Sequence, residues 1–296
     1  MKSFSAQWPQ VDWTGLMASL ARIDPADRPV LAGYTRAEIY RDIHGQGGLF
    51  LAADMAGELD LKPGMKVLDL ACGAGTTSVF LAKRYGVQVY ALDKNELDEA
   101  KLLGRAKEAG VSDLVFPVKA EAHALPFTAG FFDAVFCLNS YFYFGTDDLY
   151  LPYLLKFVAL GGKICVGSPC YREELPANPP EEWLVEFPDC LAVHSPGWWR
   201  RHFEKIRVAR VVKSICHPQS RAFWEDWLHH WLETKSPADM TPAEQEGLLA
   251  FLRMLETDRT NFVSHLLLVA EKIAPPANSP IQYYSASSQG RGNFPP

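Results

Sequence analysis

Short apolar runs alternate along the chain with amphipathic stretches of helical length. The runs are rich in β-branched and aromatic residues, which favour buried strands. They lie at residues 66–70, 87–93, 114–120, 132–139 and 162–168. Helices are predicted between them at residues 76–85, 96–109 and 147–158. This alternation predicts an α/β fold in which helices cover both faces of a parallel sheet.

Two further strands are predicted near residues 205–215 and 262–273, for a total of about seven. Two aromatic-rich stretches interrupt the alternation. Residues 169–204 contain closely spaced prolines that exclude a long central helix, which indicates a lid-like insertion. Residues 222–258 have a helical pattern with a stripe of aromatic and leucine side chains on one face, which favours core packing. The stripe consists of Trp224, Trp227, Leu228 and Trp231.

The predicted organisation therefore has five parts. A core at residues 46–168 follows an N-terminal cap segment at 1–45. The aromatic lid at 169–204 is followed by the last strands and their helical insertion at 205–274. Residues 275–296 are rich in Pro, Ser and Gly and are predicted to be a disordered tail.

Composition and charge narrow the possible functions. The chain has 296 residues, 48% of them hydrophobic, which is enough for a full core. Its net charge of -6 leaves no broad basic surface for nucleic acid or an anionic membrane. No signal-like segment or long apolar run is visible, so a cytoplasmic protein without a membrane partner is expected. The six cysteines form no CxxC pair, so buried thiols are expected and no metal site is predicted.

The stretch VLDLACGAGTTS at residues 67–78 predicts a strand that turns through glycines into a helix. Such a turn presents backbone N–H groups and a ligand-sized gap at the carboxyl edge of a sheet. Ser78 stands where the dinucleotide fingerprint requires its third glycine, and no lysine follows as in a P-loop. Asp69 precedes the glycines, where it would repel a pyrophosphate and attract a cation.

Asp93 ends the second predicted strand, where a carboxylate can accept hydrogen bonds from the hydroxyls of a ribose. Asp69 and Asp93 together predict a ribonucleoside ligand with a cationic or zwitterionic tail.

Four blocks carry a resemblance to a known family. They are LKPGMKVLDLACGAGTTSVFLAKRYGVQVYALD (61–93), AEAHALPF (120–127), FFDAVFCLNSYFYF (131–144) and LGGKICVGS (160–168). In this order and spacing the chain resembles the class I S-adenosylmethionine-dependent methyltransferases, over roughly residues 40–170. DIHGQGGLFLA, YFGTDDLYL and HSPGWWRRHFEK narrow the resemblance to a small-molecule, cyclopropane-synthase-like subgroup. The resemblance implies a Rossmann-like, doubly wound, seven-stranded, mostly parallel sheet whose last strand is antiparallel, with helical and loop cap insertions.

The resemblance also implies S-adenosyl-L-methionine as cofactor and assigns residues to it. Asp69 and the glycine loop would surround the methionine part, Asp93 would hold the ribose, and Glu121 would lie near the adenine amine. Asn139 would mark the side of the acceptor. The full implied cofactor set is Tyr40, His44, Gly48, Asp69, Ala71, Gly73, Gly75, Asp93, Lys94, Ala120, Glu121, Ala122 and Asn139.

Methyl transfer would occur by in-line displacement, in which a lone pair on N, O, S or C attacks the methyl group. A hydroxyl or ammonium nucleophile also needs a base, for which His123, Tyr143 and His194 are the candidates. Candidate substrate contacts are Tyr141, Tyr143, Trp198 and Arg201.

The sequence is compatible with three functions. The acidic pI near 5.8 and the aromatic lid favour a methyltransferase with a closed pocket for a small molecule. The alternatives are a methyltransferase acting on protein or RNA and a non-catalytic S-adenosylmethionine-binding protein. The lid would open and close over the site, or else Trp198 and Trp199 would pack between the subunits of a homodimer.

Overall fold

The computed structural model describes residues 12–43, 45–179, 192–235, 239–258, 260 and 262–275. One sheet contains the described strands in the order β3-β2-β1-β4-β5-β7-β6. The strands are β1 (Lys66–Leu70), β2 (Gln88–Leu92), β3 (Val115–Val118), β4 (Phe132–Leu138), β5 (Val158–Tyr171), β6 (Ala209–Cys216) and β7 (Val263–Lys272).

Strands β1 to β5 pair in parallel, and β7 lies antiparallel between β5 and β6. The predicted doubly wound, mostly parallel sheet with an antiparallel last strand is therefore confirmed.

Helices cover both faces of the sheet. Their bounds are α1 (Trp13–Ser19), α2 (Arg36–Ile39), α3 (Gly48–Gly57), α4 (Thr76–Tyr85), α5 (Glu99–Glu108), α6 (Tyr150–Leu154), α7 (Pro196–Glu204), α8 (Ser220–Thr234) and α9 (Pro242–Thr257). Alternate side chains of β1 enter opposite layers, with Leu68 and Leu70 in one apolar cluster and Val67 in the other. The strand is thus buried on both faces, as its continuous apolar run predicted.

The helix predicted at residues 147–158 is shorter than expected, and the following strand is longer. Helix α6 ends at Leu154, and Val158 already belongs to β5, where it pairs with Phe132. At its other end β5 continues to Tyr171, because β7 pairs with it as far as Val263. The first residues of the predicted lid are therefore strand, and residues 180–191 of that lid lie outside the described residues.

The helical insertion contains α8 and α9. Thr241 and Glu244 form the predicted capping box at the start of α9. Trp224 and Leu228 of the aromatic stripe are buried, and Trp227 stacks on Trp231 with ring centroids 5.9 Å apart. Trp224 and Trp227 also contact Phe251 of α9, which agrees with core packing between the two helices.

In the described part of the chain, no helix combines the length and the apolar character needed to cross a membrane.

Candidate functional site

A cleft opens at the carboxyl ends of β1 and β4, where the order of the strands reverses. It consists of two adjoining cavities of about 350 and 340 Å³. Both are lined by Ala71, Asp93, Glu96, Ser140 and Tyr143. The shared lining makes them one continuous cleft whose size suits a small molecule.

The turn between β1 and α4 uses left-handed backbone at Ala71, Gly73 and Gly75, whose φ angles are 56°, 56° and 78°. Ala71 and Gly73 line the cleft. At Gly75 a Cβ atom would lie 2.5 Å from the side chain of Leu102 in α5. The absence of a side chain at Gly75 lets the start of α4 approach α5, while Gly73 lines the first cavity.

Asp69 lies under this turn and is 1% exposed. Its Oδ2 atom accepts hydrogen bonds of 2.6 Å from the hydroxyls of Thr77 and Ser78 at the start of α4. Burial raises the pKa of Asp69 from 3.8 to about 6, an effect that these two hydrogen bonds oppose and the charge of Asp93 reinforces. The carboxylate is a buried negative charge without a cationic side chain beside it among its described contacts, and a cationic ligand in the cleft would stabilise it.

Asp93 directly follows β2 and forms hydrogen bonds that shape the floor of the cleft. Its Oδ2 atom accepts a hydrogen bond from the N–H of Gly73, and Oδ1 accepts from the N–H groups of Asn95 and Glu96. Three of its roughly four acceptor positions are therefore occupied, which leaves room for a ligand hydroxyl. Glu96 lines the same part of the cleft and adds a second carboxylate.

The second cavity is formed by the loop after β3. Ala120, Glu121 and Ala122 line it, together with Leu92 and Lys94 from the end of β2. Lys94 Nζ lies 2.9 Å from Glu121 Oε2. Burial raises the pKa of Glu121, but Lys94 and His123 lower it by more, so the carboxylate stays charged at neutral pH.

Asn139 directly follows β4, has a left-handed conformation with φ 55° and lines the first cavity. Its side-chain amide donates a hydrogen bond of 3.4 Å to the carbonyl of Gln46. A Cβ on Gly45 would lie 2.6 Å from the same amide, so the segment before α3 approaches β4 closely. Asn139 thus joins the end of β4 to the segment that follows the N-terminal cap.

Of the predicted cofactor residues in that segment, Tyr40 is 7% exposed and its hydroxyl donates to Asp226 of α8. The ring of Tyr40 therefore lies beside the cleft wall and is not one of the residues lining either cavity. Gly48 begins α3 with φ 48°, where a Cβ would lie 2.7 Å from the carbonyl oxygen of Ile39. His44 lies outside the described residues.

The three candidate bases occupy different places. Tyr143 is 72% exposed at the junction of the two cavities. His123 lines the second cavity, 3.6 Å from Glu121 Oε1 and against the ring of Tyr150. His194 lies 2.9 Å from Glu174 Oε2, stacked on Trp198, and does not line either cavity. Tyr143 is therefore the candidate nearest the centre of the cleft.

The remaining candidate substrate contacts lie under or on α7. Tyr141 is fully buried against Trp199, with ring centroids 5.6 Å apart. Trp198 is half-buried, stacked between His194 and His202, and Arg201 is exposed. None of Tyr141, Trp198 and Arg201 lines the cleft in this structure. Since Trp199 is buried within its own chain, it is not available for the expected dimer contact.

The structure also brings residues to the cleft that sequence reasoning missed. The hydroxyls of Thr77 and Ser78 were visible only as a helix start, although their spacing from Asp69 could have indicated the contact. Asp42 begins the block DIHGQGGLFLA but was not among the predicted site residues, and an ion pair with Arg105 of α5 holds it in place. The missed residues that line the first cavity are Asp42, Ile43, Cys72, Thr76, Thr77, Glu96, Leu138 and Ser140.

Comparison with known proteins finds a family match for the central part of the chain. Residues 67–162 match the family described as a methyltransferase domain. The chain is 28% identical over 144 residues to a probable chloroplastic tocopherol O-methyltransferase of Oryza sativa subsp. japonica. That match covers 48% of this chain and 40% of the rice protein, so the chain spans less than half the length of this relative.

Two solved structures show the same fold. A sarcosine dimethylglycine methyltransferase from Galdieria sulphuraria aligns with a TM-score of 0.63 at 16% identity, over 76% of this chain and 86% of that chain. A geranyl diphosphate C-methyltransferase from Streptomyces coelicolor A3(2), solved with S-adenosyl-L-homocysteine, aligns with a TM-score of 0.58 at 20% identity. The second alignment covers 90% of this chain and 95% of that chain. The expected resemblance to class I methyltransferases that act on small molecules is confirmed.

Proposed function

We propose that the chain methylates a small molecule with S-adenosyl-L-methionine bound in the cleft, because residues 67–162 match the family described as a methyltransferase domain. The observation that carries this proposal is the series of carboxylates along the cleft. Asp69 lies under one end, Asp93 in the middle and Glu121 at the other end. This order suits an ammonium, a ribose and an adenine in turn.

The chemistry of these groups fits the cofactor. The cleft offers acceptor oxygens for hydroxyl and amine protons and negative charge for a cation. The backbone of Gly73, with no side chain, leaves space against the turn, where the one atom of the described residues that a Cβ would meet is Glu96 Oε2 at 3.4 Å. Asp69, held in place by Thr77 and Ser78, directs negative charge into the same space.

When bound, S-adenosyl-L-methionine supplies a methyl group on a sulfonium, which the lone pair of an acceptor can displace in line. The residues of the chain would align acceptor and methyl group and keep water out, an effect worth up to roughly 7–11 kcal/mol of the barrier. Tyr143 and Asn139 border the part of the cleft between Asp69 and Asp93 and are the side chains we assign to the acceptor side. Tyr143 is the base we favour, because His123 lies at the Glu121 end and His194 lies outside the cleft.

A small-molecule acceptor is supported by the names of the relatives, which include tocopherol, sarcosine dimethylglycine and geranyl diphosphate methyltransferases. These names cover O, N and C acceptors, so they indicate the class of acceptor and leave its atom open. A protein or RNA acceptor gains no support from them, and the net charge of -6 disfavours a polyanion. A cytoplasmic location belongs to the same proposal.

The proposal is tested by methyl transfer. Purified protein is incubated with S-adenosyl-L-methionine carrying a labelled methyl group and with separate pools of small amines, phenols, thiols and isoprenoid acceptors, or with bulk protein or RNA. Label transferred to a small-molecule pool, with an equal yield of S-adenosyl-L-homocysteine, is the expected result. Label found only in protein or RNA would contradict a small-molecule function.

A further inference from the structure

Helix α8 of the insertion carries a fully buried carboxylate, Asp226, which is 0% exposed. Its Oδ1 atom accepts hydrogen bonds from the N–H of Ile23 at 2.7 Å and from Arg36 Nη1 at 2.8 Å. Its Oδ2 atom accepts from the hydroxyl of Tyr40. All three donors belong to the N-terminal cap segment, so one side chain of α8 holds this segment at three points.

Tyr40 is held by α8 in a second way. The ring of His230, one turn after Asp226, stacks on the ring of Tyr40 with centroids 4.8 Å apart. Gly48 also lies close to Tyr40, because a Cβ on Gly48 would lie 2.9 Å from the Tyr40 ring. The hydroxyl and the ring of Tyr40 are thus both held by contacts with other residues.

The chain runs from Tyr40 directly to the wall of the cleft. The carbonyl of Arg41 accepts a 2.7 Å hydrogen bond from the hydroxyl of Thr76, the first residue of α4. Asp42 pairs with Arg105, and Asp42, Ile43 and Thr76 all line the first cavity. The position of Tyr40 therefore determines where residues 41–43 meet α4.

We propose that Asp226 is a positioning residue for cofactor binding, which acts through Tyr40 by holding residues 40–43 in the conformation that closes the Asp69 end of the cleft. The inference rests on the proposed function, since the ligand of the cleft is S-adenosyl-L-methionine. A segment that Asp226 no longer holds populates open conformations, and the apparent affinity falls by the fraction that remains closed. The chemical step is unchanged once the cofactor is bound, so the loss appears in KM for the cofactor and not in kcat.

The test compares Asp226→Asn, Tyr40→Phe and the double variant by calorimetric titration with S-adenosyl-L-homocysteine, a probe that needs no acceptor. Asp258 provides a matched control, because it is also a buried carboxylate, 4% exposed, that accepts backbone hydrogen bonds from Phe262 and Val263 at the start of β7. Asp258→Asn removes a buried charge of the same kind without touching the cap segment. Circular dichroism and the thermal midpoint of each variant report folding.

We expect Asp226→Asn and Tyr40→Phe each to raise Kd about 5- to 50-fold, within the range of coupling between distant groups. If Asp226 acts through Tyr40, the double variant has the Kd of Asp226→Asn alone, because the two changes remove the same contact. Asp258→Asn is expected to lower the thermal midpoint and to leave Kd within about twofold of wild type. Once an acceptor is known, KM for the cofactor should rise in Asp226→Asn with kcat unchanged.

A wild-type Kd in folded Asp226→Asn would overturn the inference while leaving the proposed function intact. An equal loss of affinity in Asp258→Asn would overturn it as well, because general destabilisation would then explain the effect. If Asp226→Asn does not fold, the Kd of Tyr40→Phe tests the inference, because this variant removes one hydroxyl only. A wild-type Kd in folded Tyr40→Phe would then overturn the inference. A wild-type protein that does not bind the probe would instead contradict the proposed function, and the inference with it.

Discussion

The N–H of Gly73 donates a 3.1 Å hydrogen bond to Oδ2 of Asp93, which ties the turn after β1 to the end of β2. The same carboxylate accepts from Asn95 and Glu96, so Asp93 sets the shape of the cleft as well as its charge. A residue that sequence patterns assign to a ligand is thus also part of the framework that forms the site.

Replacing Asp93 with Asn is predicted to weaken binding of S-adenosyl-L-methionine strongly. The variant turns one acceptor oxygen into a donor, so it loses a backbone contact and a hydroxyl acceptor together. A hydrogen bond to a charged group contributes about 1.5–3 kcal/mol, which corresponds to a loss of roughly 10- to 150-fold in affinity. Calorimetric titration with S-adenosyl-L-methionine measures this loss of affinity. Asp98→Asn is the control, because Asp98 caps α5 through the N–H of Lys101 at an exposed position. Equal affinities of the two variants would contradict the assignment.

The buried carboxyl of Asp69 predicts a pH dependence of stability. Its pKa of about 6 in the folded protein lies above the ordinary value of 3.8, so between these values the folded state binds a proton that the unfolded chain has released. The contribution of this group to the free energy of unfolding therefore falls as pH rises from 4 to 6, by about 2 kcal/mol. In Asp69→Asn that contribution is absent, so the stability of the variant relative to wild type should increase over this range. Urea denaturation of both proteins at several pH values measures the difference, and parallel stability curves would be the contrary result.

The same carboxyl predicts a pH dependence of binding. Above pH 6 Asp69 carries the charge that attracts a cationic ligand, and below pH 6 it is protonated. Affinity for S-adenosyl-L-homocysteine, whose amino acid part carries an ammonium, should therefore rise from pH 5 to pH 7 in the wild type. Asp69→Asn should show lower affinity at pH 7 and a weaker dependence on pH. Titrations of both proteins across this range test the prediction, and identical pH profiles would refute it.

Ala71 has a left-handed φ of 56° without being a glycine. This conformation costs about 1–2 kcal/mol for a residue with a Cβ, and a glycine relieves it at an entropic cost of about 0.5–1 kcal/mol. Ala71→Gly is therefore predicted to raise the free energy of unfolding by about 0.5–1 kcal/mol. The control is Ala250→Gly in the middle of α9, which should lower it by about 1 kcal/mol. Chemical denaturation compares the two, and a destabilised Ala71→Gly would show that this backbone is not strained.

The sheet was predictable because each strand carries its own signal. The continuous apolar runs of β1 and β4 reflect burial on both faces, and Gly73 with Asp69 marked the turn at the sheet edge. Asp93 could be placed because it follows a strand, and parallel strands bring their carboxyl ends to one edge. Glu121 was predicted from the family resemblance.

Contacts between distant segments were not predictable in this way. The sequence of α8 has the pattern of an amphipathic helix. Nothing in that pattern shows that Asp226 accepts a hydrogen bond from Tyr40, 186 positions earlier in the chain. The resemblance assigns Gly75 to the cofactor, and no local pattern shows that a Cβ on Gly75 would meet Leu102 of α5. Val158 was assigned to a helix because local propensity does not include its pairing with Phe132.

The central claim is that the cleft between Asp69 and Glu121 binds S-adenosyl-L-methionine. Calorimetric titration of the wild-type protein with S-adenosyl-L-methionine and S-adenosyl-L-homocysteine tests it most directly, with Asp69→Ala and Asp93→Ala as comparisons. The account predicts one site with a Kd between about 1 μM and 1 mM, and loss of that binding in both variants. A wild-type protein that is folded by circular dichroism and gives no binding heat with either compound at several temperatures would contradict it.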